Sequence, residues 1–236
     1  ISGLDPLSSY KVQVFEYSGA MGSEQYQASV APDNSIVFYT KVFTDLTGLD
    51  LETSQGQVSL CFLVDIDNDG DLDIFMLGAG EYLYRNDGNE TFTAMTFPST
   101  NYEAADFGDF NNDGFMDIAL ANGTDIDFYT NDGAGNYTTP AFSVEGFRYG
   151  SMEWGDYDND GDVDLIITGE EGGSFNTMTR IFRNNGDETF TEAANHGIVN
   201  LRYGSTDLAD IDGDGYLDLA ISGITVESDD IARVYI

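Results

Sequence analysis

Asp65-Ile66-Asp67-Asn68-Asp69-Gly70-Asp71-Leu72-Asp73 runs directly into Ile74-Phe75-Met76-Leu77, and this pairing of an acidic loop with a short apolar stretch decides how the whole chain is read. The same frame, Asp-x-Asp/Asn-x-Asp-Gly-x-x-Asp, returns at Asp109 (DFNNDGFMD), Asp156 (DYDNDGDVD) and Asp210 (DIDGDGYLD), followed by IALA, LIIT and LAIS. Asp, Asn and Gly gather in turns for backbone reasons alone. Four copies that all keep Gly at position 6, and a carboxylate or amide at positions 1, 3, 5 and 9, require a further cause, because so many like charges in one short loop repel each other.

A hard cation supplies that cause. Calcium takes roughly 6–8 oxygen ligands in irregular geometry, whereas magnesium demands a near-ideal octahedron. The expected ligands are Asp65, Asp67, Asp69 and Asp73 in the first loop, with the main chain of Asp71 adding an oxygen. Their counterparts are Asp109, Asn111, Asp113, Phe115 and Asp117, then Asp156, Asp158, Asp160, Asp162 and Asp164, then Asp210, Asp212, Asp214, Tyr216 and Asp218. Asn111 is the one amide among the sixteen side-chain positions, so the second loop is expected to bind more weakly. The helical EF-hand is excluded because it needs a bidentate Glu at position 12, where this chain has Met76, Leu120, Ile167 and Ile221. Each loop exits into a strand rich in Ile and Leu, ending at or near Gly78, Gly123, Gly169 or Gly223.

Successive motifs start 44, 47 and 54 residues apart, the length of a four-stranded propeller blade with loop insertions. One strand enters the loop, as at Ala105–Gly108 or Met152–Gly155, and the apolar strand leaves it. A third carries aromatics (Tyr82–Arg85, Asp127–Thr130, Arg180–Arg183), and an Asn-x-Gly turn leads to a fourth (Glu90–Thr93, Glu188–Thr191). A continuously apolar second strand implies burial on both faces, and the aromatic stripe is expected to pack blade against blade.

With Phe107-Gly108-Asp109, Trp154-Gly155-Asp156, the four loops and the Asn-x-Gly hairpins on view, residues 31–236 resemble the FG-GAP or VCBS repeats of integrin alpha-type β-propellers. The resemblance implies an all-β fold of four-stranded blades with calcium loops on one rim, about four Ca2+ sites, and an incomplete ring, the last blade being cut short. Residues 1–30 contain Leu4-Asp5-Pro6-Leu7-Ser8-Ser9-Tyr10, which resembles the tyrosine corner ending a fibronectin type III domain and implies a short β-sandwich remnant. One more blade hairpin is the other reading of that segment.

The chain carries 43 acidic against 8 basic residues, a net charge of −35, which repels nucleic acid and anionic membrane surfaces. Extracellular calcium sites, with dissociation constants on the order of 10⁻⁴–10⁻³ M, need an exported protein. No apolar run reaches the roughly 20 residues of a membrane span. Cys61, the one cysteine, lies in Leu60–Val64 and is expected to be a buried small hydrophobe, and His196 to be a solvated loop residue. No nucleophile elbow, Cys-His pair or His cluster is present.

The expected function is a non-catalytic adhesion or ligand-binding module of a secreted or cell-surface protein, with a glycan or protein as partner. A structural spacer and an accessory domain of a secreted hydrolase are the alternatives. Arg148-Tyr149 and Arg202-Tyr203, at matching positions in two repeats, are the candidate ligand contacts.

Overall fold

The computed structural model describes residues 58–78, 81–97, 102–138, 143–172, 176–194 and 196–236. The expected sandwich remnant at 1–30 and the propeller's expected first strand segments at 36–39 and 42–45 lie outside these residues. Among the described residues the fold is all β without a helix. The first sheet contains β1 (Val58–Val64), β2 (Asp73–Gly78), β3 (Glu81–Asn86) and β4 (Phe92–Met95). The second contains β5 (Ala104–Gly108), β6 (Asp117–Ala121), β7 (Asp125–Tyr129) and β8 (Ser143–Glu145). The third contains β9 (Phe147–Gly155), β10 (Asp164–Glu171), β11 (Thr177–Asn184) and β12 (Phe190–Glu192). The fourth contains β13 (Arg202–Ala209), β14 (Asp218–Ile224) and β15 (Asp230–Tyr235). Each is an antiparallel meander in chain order, as in propeller blades, and the four do not close a ring.

Side chains on successive residues of a strand point to opposite faces, so a second strand between two neighbouring sheets is apolar throughout. β6 shows this directly. Ile118 and Leu120 join the core with Phe75, Leu77 and Leu83 of the first sheet, while Ala119 and Ala121 join the core with Leu165 and Ile167 of the third. On β10, Ile166 turns the other way and packs with Leu219 and Ile221 of the fourth sheet. The aromatic stripe serves this packing. Trp154 stacks on Phe110 at 5.9 Å and meets Phe128 edge-on, and Phe128 stacks on Phe190 at 5.0 Å.

Two local expectations are corrected. The fourth strands start two residues late, at Phe92 and Phe190, because Asn86 pairs with Phe92 and Asn184 with Phe190 across five-residue loops. Glu90 and Glu188 lie inside those loops in the left-handed region, at φ 63° and 62°. Strands β10 and β14 end near Gly169 and Gly223 as expected, at Glu171 and Ile224. Those glycines face β-bulges in β9 and β13, where a Cβ on Gly169 would sit 2.7 Å from the carbonyl oxygen of Arg148. A glycine inside a strand marks close backbone approach, and here it does so just before the strand ends. Cys61 is exposed. It alternates with Phe62 on an edge strand, and Phe62 takes the face toward Phe75 and Phe107.

Candidate metal centres

Each acidic loop is the connection between the first and second strands of its sheet. Register fixes its mouth, since Val64 pairs with Asp73, Gly108 with Asp117, Gly155 with Asp164 and Ala209 with Asp218. The position-9 Asp is therefore always the first residue of a buried strand, and Asp73, Asp117 and Asp164 have no exposed surface at all. Asp73 accepts hydrogen bonds from the Ile66 N–H at 2.7 Å and the Asn86 N–H at 2.6 Å. Asp164 accepts them from Tyr157 and Asn184, and Asp218 accepts one from Ile211.

Position 1 shapes the loop. Asp65 accepts the N–H groups of Asp69 and Gly70, and Asp109, Asp156 and Asp210 repeat this at positions 5 and 6. The structure gathers positions 1, 3 and 9 into one cluster in three loops: Asp65, Asp67 and Asp73; Asp156, Asp158 and Asp164; Asp210, Asp212 and Asp218, each with oxygens within 4.8 Å of one another. It does not bring in position 5. Asp69, Asp113, Asp160 and Asp214 instead accept the N–H of position 7, from Asp71, Phe115, Asp162 and Tyr216. In the second loop Asn111 donates to Asp113 at 3.0 Å and accepts its N–H, so its amide is already engaged.

Whether this donor set suits a cation is decided by unmet hydrogen-bonding capacity. Buried oxygens without a partner are rare. Among the described residues they are Asp67 Oδ1, Asp158 Oδ1 and Asp117 Oδ2, at positions 3, 3 and 9 of three loops. An all-oxygen, all-anionic cluster with unfilled lone pairs fits a hard divalent cation. Arg183, bonded to Asp158 at 2.5 Å and to Asp160 at 2.6 Å, neutralises part of the third cluster and holds the Asp160 carboxyl below its usual range.

Burial pushes Asp117 up to about 7 and Asp164 up to about 6, opposed by the backbone N–H bonds and reinforced by neighbouring carboxylates. Desolvation does the same between sheets, raising Asp106 to about 6 and Glu153 to about 7. A carboxyl whose folded pKa is raised prefers to be protonated in the fold. Its contribution is full below the unfolded value and is lost as pH rises through the folded one. The calcium-free protein is therefore expected to melt at higher temperature near pH ~5 than near pH ~8, and Glu153→Gln to flatten that difference. Melting curves in chelator across that range check it, and a melting temperature that climbs with pH would refute it.

Sequence reasoning read the hairpin asparagines only as turn residues. Asn131 and Asn184 are buried, and their amides cross to the preceding sheet, where Asn131 donates to the Ile66 carbonyl and Asn184 to the Phe110 carbonyl, both at 2.7 Å. Both acceptors are position 2 of an acidic loop. Recurrence of Asn, against Asp-Gly or Gly-Gly, at the same place in three hairpins was the available signal.

Arg148-Tyr149 and Arg202-Tyr203 lie near the other end of the first strands, seven residues or roughly 20 Å of strand from the loops. The two bulges put Tyr149 and Tyr203 at φ 53° and 52°, a strained conformation for a bulky residue. Their rings stack at 4.9 Å and 27°, half exposed to solvent. The arginines differ. Arg202 pairs with the buried Glu170 and lies over the Tyr203 ring. Arg148 is exposed, crosses Gly123 where a Cβ would collide with it, and has no carboxylate partner among the described residues.

Comparison with known proteins agrees with the blade architecture. The FG-GAP-like repeat matches three times, at residues 65–120, 109–167 and 156–221, each match running from one acidic loop through the next. No curated protein matches. Among solved structures, an Agrocybe aegerita lectin described for specific recognition of non-reducing terminal N-acetylglucosamine is 17% identical, with a TM-score of 0.53 over 77% of this chain and 53% of the lectin chain. This chain thus spans about half the length of that protein, and the likeness is one of fold. With the repeats together covering about two thirds of its length, the chain belongs to the FG-GAP-like repeat family.

Proposed function

We propose that this chain is a non-catalytic, calcium-ordered ligand-binding propeller segment of an exported protein, with a glycan or a protein as its partner. The observation that carries the calcium reading is the set of buried, unpartnered carboxylate oxygens at Asp67, Asp117 and Asp158. In a chain of net charge −35, carboxylate oxygens that have given up water without gaining a hydrogen bond are costly when ionised, and a bound cation would offset that cost near neutral pH. Calcium would be held by positions 1, 3 and 9, with the position-7 carbonyl as a further donor and position 5 joining by turning from its N–H bond. The same oxygen-rich, irregular set disfavours magnesium.

Titration calorimetry tests this. The protein is expected to bind calcium at several sites with little heat from magnesium. Asn111→Asp, which restores the missing charge in the second loop, is expected to tighten the weakest site. Absence of any calcium heat would remove the metal reading.

The ligand contacts proposed are Tyr149, Tyr203 and Arg148, with Arg202 as the buttress that pairs with Glu170 and backs the Tyr203 ring. A solvent-facing tyrosine step offers a flat apolar face, and the Arg148 guanidinium, without a carboxylate partner among the described residues, offers donors to hydroxyl or carboxylate oxygens. The lectin's described recognition of N-acetylglucosamine makes a glycan the first partner class to try. On a glycan array, Tyr149→Ala and Arg148→Gln are expected to abolish signal while leaving calcium heats unchanged. Undiminished binding by both variants would place the ligand elsewhere.

A further inference from the structure

We propose that the asparagine at position 4 of the acidic loops couples neighbouring metal sites, so that filling one loop raises the calcium affinity of the next. This deepens, and rests on, the calcium reading above. The position is left-handed in every loop, at φ 57° for Asn68, 57° for Asn112, 62° for Asn159 and 79° for Gly213. Gly213 shows that the backbone requirement is met by glycine alone. Asparagine at the other three positions adds an amide, and each amide leaves its own loop. Asn68 donates to the Gly114 carbonyl at 2.7 Å, Asn112 to Asp162 Oδ1 at 2.5 Å, and Asn159 to the Gly215 carbonyl at 2.9 Å.

The acceptors decide the meaning of these bonds. Gly114 and Gly215 are position 6 of the following loop, immediately before the Phe115 and Tyr216 main chain expected to face the ion, and Asp162 is position 7 itself. A return link closes each of the first two pairs, since Asn131 of the second sheet holds the Ile66 carbonyl of the first loop and Asn184 of the third sheet holds the Phe110 carbonyl of the second. An ion that fixes one loop therefore fixes the side chain that holds the next loop's coordinating segment. The ordering cost of that next loop has then already been met in part, which is positive cooperativity, and by linkage it acts in both directions. The second of these loops has an oxygen with no hydrogen bond of its own to satisfy it, Asp117 Oδ2, on a side chain without exposed surface.

One hydrogen bond of this kind corresponds to about a two- to tenfold change in affinity at the neighbouring site. The test uses the glycine that the fourth loop already carries. Calcium titration of the natural chain is compared with Asn159→Gly and with the triple variant Asn68→Gly, Asn112→Gly and Asn159→Gly, which keep the backbone conformation and all side-chain ligands. The natural chain is expected to load cooperatively, and the triple variant to bind the same number of ions in independent steps at about two- to tenfold weaker affinity for the coupled sites. Equal ion number with superimposable isotherms would overturn the coupling and leave the metal reading intact. No calcium binding by the natural chain would overturn both. A general loss of folding is separated from either by the melting temperature at saturating calcium, expected to stay close to that of the natural chain.

Discussion

Chelation of calcium is expected to lower the melting temperature of this chain by more than about 10 °C, and added calcium to restore it. At a hundredfold excess over its dissociation constant, an ion that binds only the folded state contributes about 2.7 kcal/mol per site. For a domain of this size each kcal/mol moves the midpoint by about 2–4 °C. One filled loop thus accounts for about 5–10 °C, and two or more exceed the stated shift. The effect should be largest for the first, third and fourth loops, where three carboxylates converge, and smaller for the second, where Asn111 is occupied with Asp113. Scanning calorimetry with calcium, with chelator and with calcium returned decides it. An unchanged midpoint would mean that the buried oxygens of Asp67, Asp117 and Asp158 are satisfied in some other way.

Truncating one hairpin asparagine is expected to be nearly as damaging. Asn184 has no exposed surface, donates to the Phe110 and Val163 carbonyls at 2.7 and 3.2 Å, and accepts the Gly186 N–H at 3.1 Å. Asn184→Ala removes all three bonds and leaves the buried Phe110 carbonyl without its donor, a cost of about 2–5 kcal/mol, or about 5–15 °C. Asn184→Asp, nearly the same shape, is expected to be at least as costly, because it loses both donors and adds a charge near Asp164. Asn86 is the internal control. It is only part-buried, and its described bonds are to Leu72 and Gly88 within its own sheet, so Asn86→Ala should cost about 1 kcal/mol or less. Equal denaturation midpoints for the Asn184 and Asn86 variants would show that the cross-sheet bond carries no stability.

These predictions separate two kinds of information in the chain. The four acidic loops, the apolar strands after them and the rejection of an EF-hand were legible directly, because turn chemistry and strand periodicity are local. A nine-residue frame at blade spacing can be satisfied by short-range geometry, and position 1 closing on the N–H groups of positions 5 and 6 is such geometry. The burial of both faces of β6 and β10 was legible for the same reason, as an unbroken apolar run.

What spans two sheets was not legible. Asn131 and Asn184 look like ordinary turn residues until the preceding loop is brought against them. Asn68, Asn112 and Asn159 look like substitutes for glycine until their amides reach the next loop. The division of labour between Arg148 and Arg202 also required the neighbouring sheet, since sequence spacing makes them equivalent and only packing gives Glu170 to one and Gly123 to the other. The sequence by itself determined the repeat, the strands and the acidic loops, whose causes lie within about ten residues. The tertiary structure decided which carboxylate oxygens are left unpartnered, which side chains tie one loop to the next and which arginine lacks a carboxylate partner among the described residues, because each of those depends on groups far apart in the chain being brought together by the packing of one sheet on the next.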